Sequence, residues 1–143
     1  MLVNEPSFIA NIGDKGLKTL DDARRFIRVG AWTNQEKAGY GQFVLESIAG
    51  AVRMGICGLL YRPSLDVTDI GFALLPEYRG QGLALEAARA LKAYGHTTLG
   101  IKTIVGLTSP DNLASIKVLE QPGMAFEKVV KLSEDDPGTA LYS

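Results

Sequence analysis

Two glycines separated by one polar residue lie where an apolar run gives way to a helical pattern. Gly80 and Gly82 belong to the segment 79–82, Arg-Gly-Gln-Gly, which follows the apolar run 67–75 and precedes an amphipathic stretch. Glycine lets the backbone approach a ligand closely and adopt conformations that a Cβ forbids. The unpaired N–H groups of a helix's first turn, together with a dipole of about half a positive charge, attract phosphate oxygens. The segment therefore predicts a phosphate-binding loop.

Three phosphate-binding patterns can be compared with this loop. A dinucleotide fingerprint needs a third glycine three residues after the second, and that position is Leu85. A P-loop needs Gly-Lys-Ser/Thr, and no such triplet follows. The remaining pattern, Arg/Gln-x-x-Gly-x-Gly/Ala, is matched by the segment Arg79 to Ala84.

A second motif lies downstream, in the segment 109–120 with an Asn-x-x-Ser at Asn112 to Ser115. Together the two motifs resemble the GNAT superfamily of acetyl-CoA-dependent N-acetyltransferases, and most of all the branch of ribosomal-protein N-terminal acetyltransferases. The likeness runs from about Phe8 to Leu132. That branch follows Asn-x-x-Ser with a Glu-Lys-Leu-Gly-Phe ending, whereas this chain has Glu-Gln-Pro-Gly-Met at 120–124.

The resemblance implies an α+β fold, with a mixed, mostly antiparallel central sheet and flanking helices. It also implies acetyl-CoA as co-substrate and no metal. In the family the central strand hydrogen-bonds the pantetheine arm, the glycine loop holds the pyrophosphate, and the asparagine contacts the cofactor's arm. The matching positions are Phe72, Ala73, Leu74, Arg79, Gly80, Gln81, Gly82, Leu83, Ala84 and Asn112.

The same resemblance implies that a small-molecule or peptide amine attacks the thioester directly in a ternary complex. A general base must remove a proton from the amine. Asp69 stands where relatives often carry Glu, one methylene longer. Many members use a Tyr to protonate the leaving thiolate; the matching position here is Leu119, which leaves Ser115 as the hydroxyl candidate. Asp69 and Ser115 are therefore the predicted catalytic residues.

Each of these residues also has a plainer interpretation. The glycines would suit any loop before a helix, Asp69 would be a strand carboxylate satisfied by a neighbour, and Asn112 would be a helix N-cap. The family also begins with a strand and a helix that precede the segment 4–6, so either a shortened sheet or a partner chain, as in a homodimer, is expected. A non-catalytic acyl-CoA-binding module is the alternative function, and a longer acyl-CoA is a third reading.

The elements that must position these residues are predicted in the order α-β-β-β-α-β-α-β-β. A capping box at Thr19 to Asp22 starts the first helix and Gly30 closes it. Gly95 is the predicted end of the second helix. A strand-helix-strand unit at 67–107 implies a parallel pair in the middle of the sheet. Helices are expected over about 20–30, 82–94 and 112–121, and strands over 40–48, 53–61, 67–75, 101–107, 125–132 and 139–142.

Composition limits the kinds of partner. The 143 residues suit one domain, residues 1–143, and 15 basic against 16 acidic residues give a formal net charge of −1. That balance predicts neither a nucleic-acid nor a membrane partner. Cys57 and His96 are each the single residue of their type, so neither an internal disulfide nor a Cys/His zinc site is expected. With no secretory leader pattern, a soluble cytoplasmic protein is predicted.

Overall fold

The computed structural model describes residues 2–143, and five α-helices flank its sheet. The helices are α1 (Pro6–Ile12), α2 (Leu20–Ile27), α3 (Thr33–Ala38), α4 (Leu83–Thr97) and α5 (Leu113–Glu120). The first of them, α1, was not predicted from the sequence. No helix in the described range is both long enough and apolar enough to cross a membrane.

Six strands form one sheet in the order β1-β2-β3-β4-β6-β5. They are β1 (Gln42–Glu46), β2 (Arg53–Arg62), β3 (Val67–Leu74), β4 (Ile104–Thr108), β5 (Phe126–Val130) and β6 (Thr139–Tyr142). The pair β3–β4 is parallel and the other four pairs are antiparallel. The predicted mixed, mostly antiparallel sheet with a central parallel pair is confirmed.

The hydrophobic core lies on both faces of this sheet. Residues that pair across β2 and β3 point to the same face, so Leu59 with Ile70 and Ile56 with Ala73 mark opposite faces. Leu59 and Ile70 pack with α4 and α5 in the larger cluster. Ile56 and Ala73 pack against the N-terminal residues, including Phe8. Helices therefore cover β3 on both sides, as its almost continuous apolar sequence indicates.

The first predicted helix continues beyond its expected end. The capping box is confirmed, because the Thr19 side chain accepts from the Asp22 N–H and the Asp22 carboxylate accepts from the Thr19 N–H. Gly30 does not close the helix, however. It lies inside a π-helical turn, Arg28–Trp32, that leads directly into α3. The chain leaves the helical conformation at Gly39, whose φ of 78° is left-handed and suits glycine.

Gly95 is likewise not a helix end, because α4 continues to Thr97. Its small size serves packing instead. A Cβ at Gly95 would lie 2.5 Å from Ile104 Cδ1 and 3.1 Å from Leu59 Cδ1. The glycine therefore lets α4 pack closely on β2 and β4.

Candidate active site

The glycine loop between β3 and α4 has the open backbone that a phosphate site requires. Gly80 and Gly82 have φ values of 71° and 79°, in the left-handed region, and a Cβ at either would meet no atom within 4 Å. Gly82 is the N-cap of α4 and provides no side-chain cap for the helix. The space beside both glycines is thus free for a ligand, and the helix's positive end opens onto it.

Five consecutive amides in this loop are available as donors. Within the described chain, the N–H groups of residues 80–84 have no hydrogen-bond acceptor, and the first turn of α4 closes with the Glu86 N–H on the Gly82 carbonyl. The Arg79 N–H, in contrast, donates to the Pro76 carbonyl at 3.2 Å. The amides predicted to hold a diphosphate are therefore narrowed to residues 80–84.

Two side chains of the motif brace the loop. The Arg79 guanidinium donates through Nε and a terminal nitrogen to the Leu74 carbonyl, at 3.0 and 2.9 Å. The Gln81 side chain donates to the Glu77 carbonyl at 2.9 Å. Both polar side chains thus bind backbone within the loop or at the end of β3. These two side chains therefore act on a ligand site by holding the loop in its shape.

The sheet opens beside this loop. Strands β3 and β4 pair only over residues 68–70 and 104–106, so residues 71–74 of β3 have no strand partner on that side within residues 2–143. Because the Leu75 N–H points to Met54 on β2, alternation directs the main-chain groups of Ala73 to β2 and those of Phe72 and Leu74 to the opening. The Leu74 carbonyl is already bound by Arg79. Among the three predicted strand positions, Phe72 offers its backbone N–H and C=O to a ligand in the opening.

Asp69 lies on β3 just before the opening and is almost completely buried. Its side chain is 3% exposed, and its Oδ2 accepts two hydrogen bonds from Arg62, from Nε at 3.0 Å and from Nη2 at 2.6 Å. Its Oδ1 has no hydrogen-bond partner in the described residues. A buried, unpartnered carboxylate oxygen is costly, and a catalytic role is one of the reasons for which proteins keep such a group. The plainer interpretation, a strand carboxylate satisfied by a neighbour, holds for one oxygen of the two.

Burial also changes the acidity of this carboxyl. Loss of hydration raises the pKa of Asp69 to about 6, against a reference value of 3.8. The Arg62 charge and its hydrogen bonds act in the opposite direction, as does the nearby Leu107 amide on β4. The carboxyl therefore changes protonation state near neutral pH, as a general base for an amine requires.

Arg62 was not identified from the sequence. It is the last residue of β2 and pairs with Val67, whereas Asp69 pairs with Leu60, so Arg62 and Asp69 are diagonal neighbours on one face of the sheet. The turn at 62–64 was predicted, but without the register of the hairpin. Assigning that register would have brought the two charges together.

Helix α5 carries the second motif next to the end of β4. The Asn112 side chain accepts from the Ser115 N–H at 3.2 Å, so the N-cap interpretation of Asn112 is confirmed. This cap occupies its Oδ1 and leaves its amide nitrogen without a partner among the described residues. Leu119 is 1% exposed and contacts the Gly106 position of β4, so it belongs to the core. Ser115 lies one turn earlier on the same side of α5 and is half-buried.

A separate concave surface lies at the other end of β3. It encloses about 570 Å³ between the helical segment 29–38 and the residues Tyr40, Tyr61 and Pro63. None of the predicted site residues lines it. Tyr40, which lines this surface, connects it to the predicted site: its hydroxyl is hydrogen-bonded to Thr68 Oγ1 at 2.5 Å, and Thr68 is the residue before Asp69.

Cys57 and His96 lie outside the candidate site. Cys57 is buried in the larger core cluster, in agreement with its interpretation as a small hydrophobe. His96 is exposed, and its Nδ1 lies 2.7 Å from the Ile101 carbonyl oxygen. Residues 2–143 contain no group of three or more His, Cys, Asp or Glu side chains arranged to hold a metal ion.

A fold with this sheet, a glycine loop with free amides after the central strand and an opening beside it is that of an acyltransferase of the GNAT type. Residues 2–125 match the family model described as the acetyltransferase (GNAT) domain. The chain therefore belongs to the GNAT acetyltransferase family, as its two motifs predicted.

Known relatives and solved structures agree with this assignment. The chain is 27% identical over 118 residues to the uncharacterized N-acetyltransferase YnaD of Bacillus subtilis (strain 168), and the match covers 82% of this chain and 66% of YnaD. An acetyltransferase from Agrobacterium tumefaciens str. C58 has the same fold, with a TM-score of 0.81 and 23% identity over 99% of this chain and 79% of that one. The ribosomal L7/L12 α-N-protein acetyltransferase RimL, solved with coenzyme A, gives a TM-score of 0.74 and 18% identity over 90% of this chain and 74% of that one.

Proposed function

We propose that this protein transfers the acetyl group of acetyl-CoA to a primary amine by direct attack in a ternary complex. The observation that carries the proposal is the continuity of three features along β3. The free amides of residues 80–84 lie at its end, the unpaired Phe72 edge lies beside them, and the unpartnered Oδ1 of Asp69 lies where the opening begins. We assign these features, in order, to the diphosphate, the pantetheine arm and the thioester end of acetyl-CoA.

The chemistry assigned to these residues is proton transfer and binding. The amine nitrogen forms a bond to the acetyl carbon as the carbon–sulfur bond breaks, and the electron pair leaves with the sulfur. The Asp69 carboxylate accepts the proton that the amine loses, through a bridging water if the shorter side chain requires one. The Ser115 hydroxyl supplies a proton to the thiolate and regains it from water.

The proposal is tested by measuring coenzyme A release from acetyl-CoA with a panel of amines. The panel holds spermidine, an aminoglycoside, free amino acids and a peptide with an unblocked N-terminus. Thiol release with at least one amine, and an acetylated product of matching mass, is the expected result. Calorimetric acetyl-CoA binding without release for any amine would instead favour the non-catalytic module.

Asp69→Asn tests the base, with Asp66→Asn as the matched control. Asp66 is an exposed carboxylate in the same hairpin, bound to the Tyr61 hydroxyl, and its φ of 52° suits asparagine equally well. Asp69→Asn is expected to lower kcat by about 10²-fold or more, with a smaller change in the acceptor KM. Unchanged turnover would remove Asp69 from this role.

A further inference from the structure

Arg62 contacts the carboxylate of Asp69 in an asymmetric way. Both of its donors, Nε at 3.0 Å and Nη2 at 2.6 Å, bind the same oxygen, Oδ2. A side-on arginine–carboxylate pair would place one donor on each oxygen. Here the second oxygen, Oδ1, is buried and has no partner in the part of the chain that the structure describes.

The position of Arg62 in the hairpin produces this contact. Arg62 ends β2, and the turn to β3 begins at the next residue, so the side chain can reach only diagonally across to Asp69. The arginine side chain remains 38% exposed while that of Asp69 is 3% exposed. The guanidinium thus reaches a buried carboxylate from the edge of the hairpin and binds Oδ2 alone.

On the other side of Asp69 lies β4, where Asp69 pairs with Val105 one residue before the pairing ends at Ile70 and Gly106. The Leu107 amide of β4 lies near the carboxyl, one residue beyond the last paired residue, Gly106. The two sides of the carboxylate therefore have different surroundings. Arg62 of β2 binds Oδ2, and on the β4 side the opening begins just beyond Ile70.

We propose that Arg62 is a positioning residue for the acetyl transfer: it fixes Oδ2 of Asp69 so that Oδ1 receives the proton of the incoming amine, and its charge keeps the carboxyl ionised for that purpose. This inference rests on the proposed function. It assigns Arg62 no contact with either substrate.

Electrostatics supports the geometric argument. Burial raises the pKa of Asp69, and the Arg62 charge is the largest opposing contribution. Among the described residues, only Arg62 and the Leu107 amide act on this carboxyl to lower its pKa. The residues that pair with Asp69 on the two adjacent strands, Leu60 and Val105, are apolar. Removing the guanidinium should therefore raise the carboxyl pKa further, so that less of the carboxyl is ionised at neutral pH and able to accept a proton.

The direct test is a carbon-13 NMR titration of the Asp69 carboxyl in the free protein, assigned with Asp69→Asn. Arg62→Gln is expected to raise the carboxyl pKa by at least about 1, and Arg62→Lys by less, because lysine keeps the charge but not the two-donor contact. Arg53→Gln is the matched control: Arg53 lies on the same strand and pairs with Glu46 at 3.4 Å, but both side chains are exposed. A carboxyl that titrates alike in the wild type, Arg62→Lys and Arg62→Gln would overturn the proposal. The lysine variant keeps the test decisive if Arg62→Gln does not fold.

Kinetic measurements distinguish a failure of the proposed role of Arg62 from a failure of the proposed function. With an amine from the panel that supports thiol release, the acidic limb of the kcat/KM profile should move to higher pH in Arg62→Gln and stay in place in Arg53→Gln. If Asp69→Asn abolishes transfer and Arg62→Gln leaves the acidic limb unmoved, Asp69 remains the base and the role of Arg62 is refuted. If Asp69→Asn leaves transfer unchanged, the base assignment fails, and the role of Arg62 fails with it.

Discussion

The Arg79 guanidinium and the Leu74 carbonyl join the two halves of the candidate site. Two hydrogen bonds, at 3.0 and 2.9 Å, tie the glycine loop to the last residue of β3. The loop supplies the free amides, and the strand supplies the edge that faces the opening. This one contact therefore links the free amides of the loop to the open edge of the strand, the two parts that are proposed to hold the diphosphate and the pantetheine arm.

Arg79→Ala is expected to weaken coenzyme A binding about tenfold, because two charge-assisted hydrogen bonds that shape the loop are lost. Arg89→Ala is the control, since Arg89 is an exposed arginine on α4. Isothermal calorimetry with coenzyme A provides the Kd of each variant. Equal affinities in the two variants would contradict a shaping role for Arg79.

Gly82→Val is expected to abolish detectable coenzyme A binding, because its side chain would enter the open space where the diphosphate is proposed to bind. The substitution also strains a backbone with a φ of 79°, so a control for strain is needed. Gly123 provides it: its φ is 88°, and a Cβ there would likewise meet nothing within 4 Å.

Gly123→Val should lower the melting temperature about as much as Gly82→Val and leave coenzyme A affinity intact. The two measurements are differential scanning fluorimetry and calorimetric titration. Loss of binding in both variants would show that strain, and not occupation of the site, is the cause.

Asp69 makes the stability of the protein depend on pH. Its pKa is raised from 3.8 to about 6 in the folded chain, so the folded state holds this proton more tightly than the unfolded state. The stabilisation is complete below about pH 4 and is lost as the pH rises through about 6. The difference in pKa corresponds to about 3 kcal/mol.

Asp69→Asn lacks this titration. Its free energy of unfolding relative to the wild type is therefore expected to increase by about 3 kcal/mol between pH 3 and pH 7.5, as measured by urea denaturation. Parallel pH dependences for the two proteins would show that the carboxyl has an ordinary pKa.

Asn112 combines a cap with a proposed cofactor contact, and two substitutions separate them. Asn112→Ala removes the acceptor for the Ser115 N–H and should cost about 1 kcal/mol of stability. Asn112→Asp keeps the acceptor and should retain most of that stability. Both variants lose the side-chain amide donor, so both should bind coenzyme A more weakly. Full affinity in Asn112→Asp would leave Asn112 with the capping role alone.

The sequence predicted local structure best where side chains close together in the chain are sufficient to fix it. The Thr19 capping box formed as predicted, since a hydroxyl and a carboxylate three residues apart satisfy each other's amides. Gly30 and Gly95 were misinterpreted as helix ends because glycine has several uses. At Gly95 the decisive factor is contact with Ile104 and Leu59, which are distant in sequence.

The sequence alone determined the family, the order of most elements and the loop whose amides are free, because these depend on residues adjacent in the chain. Tertiary structure decided what the site's atoms can do. Only the hairpin register brings Arg62 to Asp69, and only the early end of the β3–β4 pairing leaves the backbone N–H and C=O of Phe72 open to a ligand. Both depend on strand pairing and burial, which place groups at atomic distance and remove them from water, and no local pattern encodes that.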